Sequence, residues 1–549
     1  MKQLLRTLLL TVFFLSFLLP SYSQIMRGQV LDANSQQAVS YATIGMIGSK
    51  KGVICNGEGK FEWNVSFQPA DSCYIYVQCL GYASQQLKWD GSSFLTIYLQ
   101  PKDFVLDPVS IVHLGLSPKA VLQKAIDQLP THFDPQPYLL NSFYRHYCKE
   151  EGEYRRLIEA AVDLYKPNGH KRRYTKVPFA FQMKVPHMRR SLDFTALSSF
   201  RHLPIALNQT LLHDYSSFKI PYMEGFWSNE MRYAFVDTLY DQGASVVVVQ
   251  VNGRYNGWQI TSDFFINVVD FSLLKSEEHW SSSLYEKSYR LIRNNHFVCR
   301  YRRFGDRLYL SHIINEGKRI SWRAGENGEQ LDKEDHLHHI SWMVNEVKSG
   351  VSHAIRGREP GAEALKNIPY DEAFWASYPV LKATPLESRI RRDLAEQLSL
   401  DRQFSSADQI VNQRQWQEKW ADNVFQDALS HYQGLPLLIC FWKSGDRPSL
   451  REILTLRKLN KAYGKEPFGL IWIFVGANKQ EMDKLIRKYG LYIGRHIYSP
   501  GGFEGKMAQK FNVKQSPFLL LKEANGQEVF RGRKLPPYKK IRATLDELK

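Results

Sequence analysis

The chain has 549 residues, too many for one domain; three or four are expected at roughly 150 residues each. It is 44% hydrophobic and 13% aromatic, which is enough for ordinary cores and too apolar for a disordered chain. The net charge is +17, but the basic residues form short clusters (Lys171-Arg172-Arg173, Arg189-Arg190, Arg389-Ile390-Arg391-Arg392), not a long tract. They read as a solvated surface or, as the sharper alternative, as a contact for a polyanion.

Residues 1–23 read as a signal peptide. Lys2 and Arg6 precede an apolar run from Leu8 to Leu19, Pro20 breaks it, and Ser21 and Ser23 stand at −3 and −1 before Gln24. The run is shorter than the roughly 20 residues of a membrane span, and no later stretch is apolar enough to span. No Cys follows the run, so a lipid anchor is not expected. The mature chain is therefore expected to be exported, periplasmic or outer-membrane associated, with no membrane span and no nucleic acid partner. Its oligomeric state is not readable. The six cysteines are Cys55, Cys73, Cys79, Cys148, Cys299 and Cys440. Cys73 and Cys79 read as one strand, about 20 Å apart at ~3.3 Å per residue, beyond disulfide reach. Buried free thiols are expected; a bridge involving Cys55 is the alternative.

Residues 24–112 read as short strands: Gly28–Asp32, Val39–Ile44, Gly52–Phe61 with a turn over Asn56–Gly59, Tyr74–Leu80 and Leu95–Leu99. Period-two alternation and regular turns argue for a β-sandwich. The pattern G-x-V-x-D, a small-residue strand, G-x-G-x-F and Leu80-Gly81-Tyr82 resembles the carboxypeptidase-regulatory-like, transthyretin-like sandwich of exported Bacteroidota proteins. That resemblance implies a structural or adhesive module with no peptidase site.

Residues 113–375 read as a β-rich middle domain. Ser117–Leu129 is a helix, with Ser117 as N-cap, Pro118 at its first position, and Ala120, Leu122, Ala125, Ile126 and Leu129 on one face. Strands are expected at Phe143–Arg145, Arg156–Tyr165, Ser245–Val251, Gly257–Ile260, Phe264–Val269, Arg307–Ile313 and Arg319–Trp322, with turns at Asn252-Gly253 and Asn256-Gly257. A large, curved antiparallel sheet is the expected result. The pattern around Tyr144-Arg145, Glu159-Ala160-Ala161 and Gly257–Ile260 resembles middle regions that follow the sandwich in Bacteroidota proteins. The one metal-like run is Asp335-His336-Leu337-His338-His339. On a strand His336 and His338 share a face, but further ligands would be needed. The run otherwise reads as a polar edge strand or loop with exposed histidines. The carboxylate pairs Glu150-Glu151 and Glu277-Glu278 read as solvated, and no catalytic motif stands out.

Residues 376–432 read as a helical connector. Ile368–Asp371 with Phe374-Trp375 reads as a segment closing back on the middle domain. Thr384 and Glu387 form a capping box, and Trp416, Trp420, Val424 and Phe425 mark a second helix whose aromatics pack.

From Leu435 to the end, strands and helices alternate: Leu435–Trp442, a helix, Gly469–Val475, a helix with Met482, Leu485, Ile486 and Tyr489, then a hairpin through Asn525-Gly526 and a last helix with Ile541, Leu545 and Leu548. Residues 433–549 resemble the exported thioredoxin-like proteins. The resemblance places a Cys-x-x-Cys pair at Asp446, Arg447, Pro448 and Ser449, so both sulfurs are missing and disulfide exchange by the usual route is excluded. Ser516-Pro517 stands where that family has its cis-proline, beside a loop that could hold an extended peptide. Asp446 reads as a helix N-cap, Arg447 as its partner, and Cys440 as an inert strand residue.

The expected fold is thus multidomain α+β: sandwich, curved-sheet middle domain and redox-inactive thioredoxin-like α/β domain. The expected role is non-enzymatic binding or scaffolding at the cell envelope, with no catalytic residue and no cofactor. The partner is an envelope protein or peptide, or a polyanionic surface component. The alternatives are a thiol-disulfide oxidoreductase-related protein and a metal-dependent hydrolase using His336 and His338.

Overall fold

A computed structural model describes residues 23–66, 73–91, 94–102, 115–167, 169, 182–193, 207, 210–211, 213–216, 230–241, 243–286, 289–324, 330–352, 355, 368–378, 385–395, 399–404, 406–445, 452, 455, 468–476, 479–489, 491 and 494–534. The chain divides into two compact units, residues 1–191 with 202–400, and residues 192–201 with 401–549. Outside the described residues fall the expected signal segment up to residue 22, Lys171–Arg173, Thr384, Asp446–Ser449 and the expected last helix, as do the side chains of Cys73, Glu387, Trp416 and Trp420.

The first unit opens with seven strands: β1 (Ser23–Asp32), β2 (Thr43–Met46), β3 (Gly52–Ile54), β4 (Lys60–Ser66), β5 (Cys73–Gln78), β6 (Gln85–Trp89) and β7 (Leu95–Leu99). They form two sheets, β4-β1-β7 and β3-β2-β5-β6. Between them lie Val30, Ala42, Ile44, Phe61, Ile75, Val77, Ile97 and Leu99, the inward residues of each alternating strand. The Asn56–Gly59 turn forms as expected: the Asn56 side chain accepts from the amides of Glu58 and Lys60, and Gly59 takes φ +71°. Cys55 is not bridged. Its thiol donates to the Val39 carbonyl at 3.1 Å and accepts from the Ala42 amide at 3.0 Å, and all five described cysteines are free.

A ten-stranded antiparallel sheet follows: β8 (Tyr138–Glu150), β9 (Glu153–Lys166), β10 (Gln182–Arg190), β11 (Arg232–Asp241), β12 (Ala244–Tyr255), β13 (Trp258–Asn267), β14 (Leu273–Glu286), β15 (Tyr289–Phe304), β16 (Arg307–Ala324) and β17 (Gln330–Ser349). Its order is β10-β9-β8-β17-β16-β15-β14-β13-β12-β11, so two meanders meet where β17 returns to pair with β8. Helix α1 (Pro118–His132) lies on one face of the sheet and packs against β11–β14. Its Ser117 Oγ accepts from the Ala120 amide at 3.2 Å, and Val121, Leu122, Ala125 and Leu129 are buried. They share one apolar cluster with Met183 and Met188 of β10 and Val246–Val251 of β12. Strands from both edges thus feed a single core, as a strongly curved sheet requires.

Several strands correct the sequence reading. Asn252-Gly253 is interior to β12: the Asn252 amide donates to Thr261 Oγ1 at 2.8 Å. A Cβ on Gly253 would stand 2.4 Å from the Glu230 carbonyl, so glycine here serves a close backbone approach. Asn256-Gly257 is a true hairpin turn, with φ of +48° and +79°. The segments Gly257–Ile260 and Phe264–Val269 are largely one strand, β13, and Arg307–Ile313 and Arg319–Trp322 both belong to β16.

The outer face of this sheet is covered from two sides. The sandwich seats on it through Ile54, packed with Ile314 and Met343, and through Lys50, whose Nζ donates to Ser349 at 2.6 Å. Helix α2 (Glu372–Ser377) closes back as expected. Asp371 caps it, Phe374 stacks on His187 at 3.6 Å, and the Tyr378 hydroxyl donates to the Ser142 carbonyl. Helix α3 (Pro385–Ala395) packs on β9.

The second unit holds β18 (Leu437–Trp442), β19 (Gly469–Phe474), β20 (Arg495–Tyr498), β21 (Phe518–Lys522) and β22 (Glu528–Gly532) in the order β20-β19-β18-β21-β22. The first three are parallel and the last two antiparallel. All six residues of β18 and of β19 are buried, as for strands covered on both faces. Helix α5 (Lys479–Tyr489) packs on one face through Met482. On the other lie α4 (Ser406–His431), through Ala421, Phe425 and Ala428, and α6 (Lys506–Lys510), through Met507. Part of the expected connector is therefore a layer of this unit.

Candidate functional site

The histidine run lies on β17, which pairs with β16 on one side and β8 on the other, so it is neither an edge strand nor a loop. His336 and His338 do share a face, but it is the inner one, and they are 0% and 7% exposed. This overturns the expectation of exposed histidines. The strand register brings His146, Cys148 and Glu150 of β8 and Arg156 of β9 alongside. His336 Nδ1 lies 3.2 Å from Glu150 Oε1, and Arg156 donates to Cys148 Sγ at 3.1 Å. Burial holds His338 down at about 3, helped by His336, His339 and Arg156, and holds His146 well below its usual range. The His338 and His146 rings are therefore neutral at pH 7. A glycine faces them: a Cβ on Gly317 would stand 2.1 Å from His338 Cε1. The buried cluster is a polar stretch of core, and its ring centroids stand 6.3 to 6.5 Å apart.

The carboxylate pairs also split between faces, as adjacent strand residues must. Glu150 and Glu278 are buried, so the expectation of solvated pairs fails for them. Glu278 accepts from Tyr215 at 3.1 Å and from Trp280 at 3.0 Å. Of the basic clusters, Arg189 and Arg391 turn toward Glu159, which Arg145 also contacts at 2.6 Å. Burial alone would raise Glu159, but the three guanidinium groups outweigh it and hold the carboxyl at about 2. These arginines serve the fold and do not form a continuous basic face.

A cleft of about 410 Å³ lies between the sandwich and the outer side of the sheet. Thr43, Gln78 and Leu80 line one wall; Asp241, Asp270 and Arg300–Arg303 line the other. Three of the four residues Arg300–Arg303 are arginines in different states. Arg303 is paired with Asp270 at 2.7 Å, and Arg300 Nη1 reaches Cys79 Sγ at 3.7 Å. Arg302 is 6% exposed, and its Nη2 donates to the Val344 carbonyl. Its Nε and Nη1 meet no hydrogen-bond partner among the described residues. Burial lowers Arg302 to about 10, and it stays charged at neutral pH. On the same wall, burial raises the Asp241 carboxyl, against the pull of Arg300 and Arg303. A buried guanidinium with unused donors is costly unless an anion completes it. Sequence reasoning missed this site, because a single arginine on a strand carries no pattern.

In the second unit Cys440 sits mid-strand between Trp472 and Leu519, fully buried, and burial pushes its thiol up. The Ser516-Pro517 bond is cis and leads into β21, with the Arg533 guanidinium donating to the Ser516 carbonyl at 3.3 Å. Asp446, Arg447, Pro448 and Ser449 lie outside the described residues, so no geometry is assigned to them.

Among the described residues, no helix is long and apolar enough to cross a membrane. A search of curated proteins finds no match. Among solved structures the chain is similar to the C-terminal domain of a thiol-disulfide oxidoreductase from Bacteroides thetaiotaomicron, at 24% identity over 21% of this chain and 80% of that one, with a TM-score of 0.20. A thiol-disulfide oxidoreductase from Bacteroides fragilis matches at 22% identity over 21% of this chain and 83% of its own, also with a TM-score of 0.20. A thioredoxin domain from Bacteroides vulgatus matches at 17% identity over 21% and 84%, with the same TM-score. At that score these likenesses carry no argument about what the chain does. Residues 26–111 match the model of the CarboxypepD_reg-like domain, in agreement with the resemblance drawn from the Gly28–Tyr82 pattern.

Proposed function

We propose that this chain is an exported cell-envelope protein that binds or scaffolds and does not catalyse, and that its second unit is a thioredoxin-like domain without redox chemistry. The order of three parallel and two antiparallel strands, covered on both faces, supports the thioredoxin-like reading, as does the cis Ser516-Pro517 bond before β21. The sequence Asp446-Arg447-Pro448-Ser449 supplies no sulfur, and the thiols of Cys55, Cys148, Cys299 and Cys440 are all buried. A reactive thiol needs exposure and a stabilised thiolate, and burial pushes Cys55, Cys299 and Cys440 the other way.

The partner is an acidic envelope protein or peptide whose carboxylate meets the partly exposed Arg300 in the cleft, beside the buried charge of Arg302. The observation that carries this reading is Arg300, partly exposed in the cleft wall, whose Nη1 meets Cys79 Sγ at 3.7 Å and which forms no ion pair among the described residues. The net charge of +17 favours a second reading, a polyanionic surface component such as lipopolysaccharide. Calorimetric titration with a hexaglutamate peptide tests the first. Binding that falls at least tenfold in the accessible Arg300→Gln and less in the buried Arg302→Met, both melting as wild type, is the expected result. Binding that neither variant changes, or no binding of the peptide, overturns the assignment; uptake of lipopolysaccharide alone selects the second reading.

A further inference from the structure

The outer face of the sheet carries a row of ionisable side chains in register across four strands. His279 of β14 stands directly opposite His296 of β15, His296 opposite Glu316 of β16, and Glu316 opposite His339 of β17. Glu277, two residues before His279 on the same face, joins the row at one end. Among the described residues, Glu277, His279 and His296 are the one set of three or more His, Cys, Asp and Glu residues whose ligand atoms all lie within 4.8 Å of one another.

From this geometry we infer that Glu277, His279 and His296 form a binding site for one divalent transition-metal ion of the zinc class. The two imidazole rings lie parallel, 4° apart in tilt with centroids 4.3 Å apart. Both present Nε2 to the same oxygen: His296 Nε2 is 2.8 Å and His279 Nε2 3.9 Å from Glu277 Oε1. A tetrahedral zinc with bonds of about 2.1 Å sets its ligand atoms roughly 3.4 Å apart, a value those two distances bracket. The metal replaces the proton now shared between His296 and Glu277, and the strand backbone need not move.

The neighbours suit the role. Lys275 donates to Glu277 Oε2 at 2.7 Å, which fixes the carboxylate and turns Oε1 toward the rings. The carboxylate is ionised at neutral pH: the His296 hydrogen bond, helped by Lys275 and opposed by partial burial, holds it at about 2. His279 is 58% exposed, so ions reach the site from solvent and water fills the remaining positions. Two imidazoles and one carboxylate select zinc, cobalt, nickel or copper over calcium and magnesium, which take all-oxygen sets. Three ligands held on two neighbouring strands make a pre-formed site, unlike the buried pair His336 and His338.

The test uses the full chain without a histidine tag, with Co²⁺ as an absorption probe and Zn²⁺ as competitor. Wild type takes up one equivalent of Co²⁺, which Zn²⁺ displaces. His279→Ala, His296→Ala and Glu277→Gln each weaken binding at least tenfold, while their melting without metal stays within a few degrees of wild type. The site is half-open, so these variants fold, and Lys275→Met gives a smaller loss. No saturable uptake below 1 mM overturns the proposal. So does stoichiometric uptake that survives both histidine substitutions, since the ion is then held elsewhere.

Discussion

Replacing Glu159 with Gln removes the carboxylate that faces three arginines at the centre of β8–β10. In the native protein Glu159 is 0% exposed, and Arg145 and Arg189 on either side are themselves almost fully covered. Lowering the carboxyl from 4.5 to about 2, at 1.36 kcal/mol per unit, corresponds to about 3 kcal/mol of stability. Breaking a buried ion pair from one side costs roughly 3–5 kcal/mol, so the two routes agree. The pH dependence has a definite sign. A depressed carboxyl contributes fully above its unfolded value and loses that contribution as pH falls through the folded value. The deficit of Glu159→Gln relative to wild type is therefore about 3 kcal/mol at pH 7, shrinks by about half at pH 3, and vanishes near pH 2. Urea unfolding, followed by hydrogen exchange in peptides spanning residues 138–166, isolates this region from the second unit. A deficit under about 1 kcal/mol at pH 7, or one that grows on acidification, refutes the reasoning.

Two further outcomes follow from the fold. Gly317→Ala forces a methyl group to within 2.1 Å of His338 and 2.8 Å of Asn295. His338 is buried and cannot swing away, so we expect a loss of about 1–3 kcal/mol in the exchange stability of β16 and β17; unchanged protection in those strands contradicts the packing described. In an insulin-reduction assay the wild-type chain is inactive, whereas Asp446→Cys with Ser449→Cys gains turnover. Wild-type activity sinks the non-catalytic reading, and an inactive double variant weakens the thioredoxin-like one.

Local signals were legible where one side of an element met one environment. The run Arg156–Tyr165, the Ser117-capped helix and the apolar strands at Leu437 and Gly469 all form: the helix keeps its apolar period on the buried face, and the three strands are buried almost throughout. The strand β17 was hidden: its run Lys333–His339 is too polar to read as a buried strand, yet β8 supplies Glu150 as a partner from 186 residues away. The strands β14 and β15 were missed for the same reason, and with them the set Glu277, His279 and His296, which exists only in their register. Asn252-Gly253 carried a turn signature that its neighbours overrode, since the Asn side chain found Thr261 and the glycine admitted another backbone. Arg302 depends on a cleft between sandwich and sheet, which no local pattern encodes.

The pairing of β17 with β8 also sets the timing of assembly. The hairpin from β8 to β9 closes over Glu151-Gly152, whereas joining His336 to Glu150 closes a loop of 186 residues. On loop-closure entropy alone that costs about 3 kcal/mol more than a short turn. Until the chain has been delivered past Ser349, β8 keeps one bare edge of amides and carbonyls thirteen residues long. A chain cut before residue 330 leaves this edge bare for good, so we expect such a truncation to aggregate in place of giving a smaller folded protein.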